Sequence, residues 1–533
     1  MCRRCEWTRR LRDQPQAVRN TQMPMRPFAV IPKLLRTQGA KLSSVYLVSS
    51  VAQQLAVLLL IPVFTHHLTT DEYGLVALLM SMMLFVRALV DMGQPAALIR
   101  YYYAPREETE SHGDLLLSAI VLRLVTAGVF LGAMFVALAP AWGWITNNRL
   151  PLQPHLSIVL LAAVGGSVNE LVHTIFKVQQ RAGAYAAVGL LTTLIQLASS
   201  VVYVVVLKLG PLSPVLGCVT GSVGVALPLV VWSFLKPSAG RLRRAVFWRH
   251  LRYGLPLVGG GAARWLQNGA DRLVLNRVAG GSLGPYNLGY NMAFTGMSVM
   301  FNSIGNALQP IQFHVMQTRK DSPTILRALA SVYVALLGAV CMTVVLYARE
   351  LVAIIAPASY ALAGRVLPLI AVAYLCHGYY LFVRRVLLFH KKTVLVSVLT
   401  IVPCLLALAG NILLIPRWGI DAAIWVLLGS VLATLAATFI AARRVDATRY
   451  PLAAILVTNI MIAAAALWLT YGPAEGVTAA GVAIKLVVLG VYLALVWIMF
   501  IRPHERVLLG LSASDGPPSD RNNSIGSDRD VIA

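Results

Sequence analysis

Long apolar runs alternate with short polar or basic breaks along almost the whole chain. They lie near residues 43–65, 74–98, 115–139, 154–177, 184–207, 213–235, 253–278, 285–310, 327–348, 361–387, 393–415, 420–442, 451–471 and 479–501. A helix needs about 20 apolar residues to cross roughly 30 Å of hydrocarbon, so the pattern predicts an all-α polytopic membrane protein with fourteen transmembrane helices. An even number of crossings returns the chain to the side on which it started. Residues 1–42 read as a basic leader and 502–533 as a polar, Ser/Asp/Gly-rich disordered tail. Met23 and Met25 offer alternative starts, and the first apolar run is long enough to stay in the membrane as an anchor rather than be cleaved.

Composition agrees with this reading. Only 12% of the 533 residues are charged, half the usual share for soluble domains of about 25%, and mean hydropathy is +0.72. The net charge of +24 raises the question of a nucleic acid partner, which the positions of the basic residues answer. With the amino terminus inside, cytoplasmic segments hold 34 of the 45 Lys and Arg, outer loops hold 6, and 5 lie deep in spans. That is the positive-inside bias, so the charge records topology and contact with anionic lipid. Both termini are expected in the cytoplasm, and no nucleic acid partner is expected. Cys218, Cys341, Cys376 and Cys404 fall within spans as small apolar residues. Cys2 and Cys5 form a lone C-x-x-C with no second pair to complete a metal site.

The chain also repeats itself. Leu-Thr-Thr-Asp-Glu-Tyr-Gly-Leu at 68–75 is echoed at 278–290, placing Tyr73 and Tyr286 213 residues apart. Leu209-Gly210 answers Trp418-Gly419, Gly221-Ser222 answers Gly429-Ser430, and the basic turn Lys177 to Arg181 answers Lys391-Lys392. These pairs imply six-helix halves at 43–235 and 253–442, a basic cytoplasmic linker at 236–252, and an extra helix pair at 443–501. Six helices per half keep both halves in one orientation, so their pseudo-two-fold axis is expected along the membrane normal, with a substrate path between them.

Charges inside the spans are the candidate functional residues, because each costs about 2.5–3.5 kcal/mol at mid-membrane and has to face protein or water. In the second span Arg87 and Asp91 are i, i+4 neighbours. Arg123 lies deep in the third, and Glu170, His173 and Lys177 share a face of the fourth. The seventh places Arg264, Asn268 and Asp271 on one stripe beside Arg272, after Pro256 and Gly259-Gly260-Gly261, which permit bending. The eighth carries Asn291, Asn302, Asn306 and Gln309. The structural alternative is that these groups neutralise one another between helices; for Lys177 and Lys485, near span ends, snorkelling is the preferred reading. No catalytic metal cluster or P-loop is present, and the outer loops are too short to house an enzyme site, so neither enzymatic activity nor a cofactor is expected.

Asp271-Arg272-Leu273-Val274-Leu275 followed by Leu283-Gly284-Pro285-Tyr286-Asn287-Leu288 resembles the seventh-helix and loop signature of Wzx-type polysaccharide flippases, in the multidrug/oligosaccharidyl-lipid/polysaccharide exporter superfamily. Residues 61–76 and Glu350 to Leu369, with Tyr360 and Ala363-Gly364, are similar to two further regions of that family, so the resemblance covers about residues 40–500. It implies a multi-pass protein of a bacterial inner membrane that moves an undecaprenyl-pyrophosphate-linked oligosaccharide between leaflets by alternating access for polysaccharide biosynthesis. A lipid-linked oligosaccharide is then the expected partner, with H+ or Na+ as coupling ion and glycan polymerase and chain-length proteins as neighbours. Expected substrate-binding residues are Arg87, Arg123, Arg264, Arg272, Asn268, Asn302 and Asn306; expected coupling groups are Asp91, Glu170 and Asp271. A drug/cation antiporter of the same superfamily would share the fold but would use acids and aromatics in its cavity, whereas arginines outnumber acids at mid-span here. A non-transport scaffold for glycan assembly would leave the charges as glue.

Overall fold

The computed structural model describes residues 38–103, 111–235, 240–255, 258–318, 322–390, 392–446, 450–472 and 479–502. All but five residues of the expected leader, all but one of the expected tail, and the side chains of Arg264, Asn268 and Asn306 lie outside the described set. Among the described residues every regular element is helical, and Leu42–Arg502 forms one compact unit.

Eleven helices are long and apolar enough by themselves to cross a membrane. The first crossing is Gln38–Leu58 continued by Leu60–His67, and the second is Thr70–Asp91 continued by Gln94–Tyr103 beyond a break at Met92 and Gly93, both at positive φ. The third to sixth are His112–Leu138, Leu152–Val178, Ala182–Val201 with the π turn Val202–Val206, and Ser213–Leu235.

Two longer helices conceal hairpins. Val258–Thr318 would be about 90 Å long if straight, three times the ~30 Å hydrocarbon core, but it leaves helical geometry at Ala279. Fifteen residues apart on either side of that point, Arg272 Nε donates to Asn287 Oδ1 at 3.2 Å, so the seventh and eighth crossings run back to back. Thr393–Arg443 breaks likewise at Gly419, and a Cβ on Gly410 would stand 3.1 Å from Val426 across the eleventh and twelfth crossings. Gly419 has φ +57° and Gly210, its repeat partner, φ +58°, so each half turns between its last two helices on a glycine in the left-handed region. Ser322–Leu346 and Leu362–Phe389 form the ninth and tenth crossings, and Leu452–Tyr471 and Ala479–Val496 the final pair. Fourteen apolar helical runs result among the described residues, with ends within about five residues of those expected except that the eighth continues to Thr318.

Lipid is as apolar as leucine, so close packing rather than hydrophobic burial joins these helices, and small residues mark the contacts. A Cβ on Gly165 would lie 3.2–3.3 Å from Val223 and Ser222. One on Gly74 would lie 3.1 Å from the Gly284 nitrogen. The latter contact joins the halves at the end predicted to face outward. Tyr360 Oη donates to the carbonyls of Leu68 and Thr69 at 3.1 and 3.2 Å, and its ring meets Tyr73 edge to face. Thr65 Oγ1 donates to the Ile355 carbonyl at 3.2 Å, and Asn276 Nδ2 to that of Ile145 at 2.9 Å. Burial pushes the Tyr360 hydroxyl above the ordinary tyrosine value, with Tyr73 and Glu72 adding to the shift, so it stays a donor. At this end the two halves are sealed together.

The linker contains an element that the sequence reading did not assign, the helix Arg244–Gly254. It is held to the amino half by Asp114, which accepts from the Arg241 backbone N–H at 2.7 Å and from Arg243 Nε at 2.8 Å. His250 is fully buried against the Tyr101 ring.

Candidate substrate and coupling site

The charged residues of the amino half converge from three helices. The second crossing brings Arg87 and Asp91, the third Arg123, and the fourth Ser167 and Glu170. Arg87 and Asp91 pair as their i, i+4 spacing foretells, but loosely, at 3.7 Å. The tighter bonds cross between helices. Arg123 Nη1 donates to Asp91 Oδ1 at 2.6 Å and to the Val90 carbonyl at 3.2 Å. Ser167 Oγ donates to the same Asp91 oxygen at 2.8 Å, and Arg87 Nη2 donates to Glu170 Oε2 at 3.1 Å.

Exposure divides the cluster into two layers. Arg123 has no exposed surface, so it braces Asp91 and cannot touch a ligand. Arg87 is 30% and Glu170 46% exposed; a guanidinium and a carboxylate with that much open surface at mid-span require water or a polar ligand beside them. Two arginines and two acids leave the cluster formally neutral. An anionic ligand reaching Arg87 would therefore compete with Glu170 for its fork.

The carboxyl half builds a different cluster. Asp271 accepts from the Arg272 backbone N–H at 2.9 Å and from Tyr286 Oη at 2.5 Å. The Arg272 guanidinium lies 4.3 Å from the centre of the Tyr290 ring, a cation–π arrangement, and Tyr374 hydrogen-bonds to Tyr290. Asn291 stands beside Tyr73 of the amino half. Asp271 and Arg272 are both buried, so this group is a packed hub between the seventh, eighth and tenth crossings rather than an open surface. Asn302 is exposed. For Arg264 and Asn268 the neighbouring geometry is informative: Trp265 donates to the Ser81 carbonyl at 2.6 Å and lies 4.5 Å from Phe85, ring centre to ring centre. The turn carrying Arg264 therefore sits within two helical turns of Arg87, across the interface between the halves.

Sequence reasoning found every charged member of both clusters but not their polar partners. Ser167 carries no periodic signal. Tyr286 and Asn287 stand in the repeat and the family signature, but neither pattern names the partner each finds, and Tyr374 has no mark of its own.

Comparison with known proteins adds the following. The family model described as "Polysaccharide biosynthesis protein" matches residues 40–316. A comparison of the sequence with curated proteins returns no significant match. Among solved structures, the chain is similar in fold to the lipid II flippase MurJ in an inward closed conformation, at 12% identity and a TM-score of 0.67, over 86% of this chain and 99% of that one. It is also similar to an inward-facing multidrug resistance MATE transporter of the MOP superfamily, at 12% identity and a TM-score of 0.58, over 74% and 95% of the two chains. A MOP superfamily transporter from Pyrococcus furiosus matches at 12% identity and a TM-score of 0.52, over 80% and 95%.

Proposed function

Since the chain belongs to the polysaccharide biosynthesis protein family, we propose that it flips a diphosphate-linked polyprenyl oligosaccharide across a bacterial inner membrane, with both termini in the cytoplasm. The observation that carries this reading is Arg87, a mid-span guanidinium that is 30% exposed and held only by carboxylates. A guanidinium keeps its charge and grips phosphate oxygens in a fork, which suits a diphosphate. Arg264, carried by the other half on a turn that packs against Ser81 and Phe85, is the second phosphate ligand of this scheme. In this scheme the exposed Asn302 offers a partner to sugar hydroxyls, Arg272 stays buried in its hub, and Arg123 acts as a positioning residue through Asp91. The sealed contacts at Tyr360 and Gly284 belong to the state that loads from the cytoplasmic side; their release opens the other.

Coupling follows from the competition at Arg87. When the diphosphate takes the guanidinium, Glu170 loses its partner and becomes free to bind H+ or Na+, with Asp91 held in reserve by Arg123. Asp271, buried and capped by Tyr286, takes the ion only in a state that opens the hub. The test uses purified protein in vesicles with a fluorescent lipid-linked oligosaccharide and an external glycosidase as reporter. Wild-type protein should expose the label and Arg87→Ala should not, with Arg87→Lys intermediate because it keeps the charge and loses the fork. Unimpaired flipping by Arg87→Ala would remove the reading.

A further inference from the structure

Along the seam of the eleventh and twelfth crossings lies an apolar groove of about 520 Å³, running from Pro403 and Ala433 at its deep end to Trp418 and Trp425 at its mouth. The distance from residue 403 to residue 418 along a helix is roughly 22 Å, more than half the ~30 Å thickness of the hydrocarbon core. The internal repeat shows that this groove is a departure from the packing of the equivalent pair. In the amino half, a Cβ on Gly221 would lie 2.8 Å from the Thr192 carbonyl oxygen, and one on Gly217 would collide with Ser200, so the fifth and sixth crossings are tightly apposed. The offset that aligns Gly221-Ser222 with Gly429-Ser430 sets Trp425 where the first half has Gly217. A Cβ on Gly429 would meet nothing within 4 Å. At the level of Gly221 and Gly429 the first half packs tightly and the second leaves space, while Gly410 against Val426 keeps the second seam closed nearer its turn.

At the mouth Asp421 lines the groove, and two arginines stand beside it in sequence or space. Trp425 Nε1 donates to Tyr471 Oη at 2.9 Å, and Arg365 reaches Asp421 at 3.6 Å while lying 5.3 Å from the centre of the Tyr471 ring. Arg417 precedes Trp418 on the turn, is exposed, and has no hydrogen bond or ion pair among the described residues. Outer loops hold only six Lys and Arg, and two of them, Arg365 and Arg417, stand at this mouth. Aromatic side chains with a polar edge settle at the headgroup level, which sets the free Arg417 charge where a lipid phosphate lies.

We propose that this cleft is a binding site for an anionic glycerophospholipid of the outer leaflet, with one acyl chain along Leu406, Gly410, Val426 and Gly429 and its phosphate on Arg417. Charge complementarity selects the headgroup, since Asp421 already neutralises Arg365 and leaves Arg417 as the net charge. The site is separate from the candidate diphosphate path, so its test does not depend on transport.

The experiment uses the full chain in nanodiscs with phosphatidylglycerol or phosphatidylcholine carrying a diazirine in one acyl chain, photolysis, and peptide mass mapping. Adducts on residues 403–433 should exceed those on the lipid-facing surface of the third crossing severalfold with phosphatidylglycerol, but not with phosphatidylcholine. Arg417→Gln, an exposed change that leaves packing intact, should lower the phosphatidylglycerol adducts at least threefold. Gly429→Leu, which the empty space admits, should abolish them while the protein stays monodisperse. Equal labelling by both lipids, or labelling indifferent to Arg417→Gln, would show ordinary annular lipid and overturn the proposal. Displacement of the label by polyprenyl phosphate but not by unlabelled phosphatidylglycerol would assign the cleft to the carrier tail and overturn it as well.

Discussion

Removing Asp91 and removing Arg87 should have opposite signatures, because one charge holds the amino half together and the other is free to work. Arg123 has no exposed surface and its Nη1 rests on Asp91 at 2.6 Å. Asp91→Asn deletes the compensating charge and leaves a buried guanidinium, a loss of about 3–5 kcal/mol. The Arg87–Glu170 pair is 3.1 Å apart, but its members are 30% and 46% exposed, so solvent screening limits its worth to about 0–1 kcal/mol. Thermal unfolding in detergent, followed by size-exclusion chromatography, reads the difference. Asp91→Asn should lower the unfolding midpoint by several degrees or more, at about 2–4 °C per kcal/mol for a unit of 150–250 residues. Arg87→Met should fall within roughly 3 °C of wild type on the same scale while losing transport. The double variant Asp91→Asn/Arg123→Met removes both members of the tight pair and should regain most of the loss. Equal midpoints for Asp91→Asn and Arg87→Met, or a double variant no better than Asp91→Asn, would refute the division of the cluster into a brace and a working face.

Glu170→Gln removes the competitor for the Arg87 fork, so it should tighten diphosphate-lipid binding while making flipping in vesicles indifferent to imposed proton and sodium gradients; retention of the wild-type gradient response would exclude Glu170 as the coupling group. Gly284→Val places a Cβ against the Thr70 carbonyl oxygen, so the outward ends must separate; a cysteine at Asp71 should then react faster with a membrane-impermeant maleimide, and an unchanged rate would contradict the seal. Tyr360→Phe removes a hydroxyl whose one proton is shared between the Leu68 and Thr69 carbonyls, worth about 1 kcal/mol, or roughly a five-fold shift towards the outward-open state, readable by the same cysteine. Because burial raises Tyr360 above its ordinary value near 10, its contribution is complete below about pH 10 and is lost only above it; the seal should be insensitive to pH between about 6 and 9, and opening within that window would place the switch on another group.

The crossings were legible because spanning helices need only length and hydropathy, and even the two hairpins hidden in Val258–Thr318 and Thr393–Arg443 follow from the breaks read before residues 285 and 420. The helix Arg244–Gly254 was not legible: its arginines look like a loop flank until Asp114, on a different helix, is seen to hold two of the linker's residues. The same limit governs the sites. An i, i+4 spacing exposes Arg87–Asp91, yet the stronger partner of Asp91 is Arg123, 32 residues away, and no pattern within one helix contains that information. The asparagine stripe separates for the same reason, since Asn291 stands beside Tyr73 of the other half while Asn302 is exposed. The repeat carries the argument further, because it tells which differences matter. Two halves with a common ancestry of contacts should pack alike wherever only stability is at stake, and the turns at Gly210 and Gly419 do. Where they part, at Gly217 against Trp425 and at the exposed Arg87–Glu170 pair beside the Asp91–Arg123 brace, stability accounts for the brace but not for the open pair or the tryptophan, so those are the positions at which to look for what the protein binds.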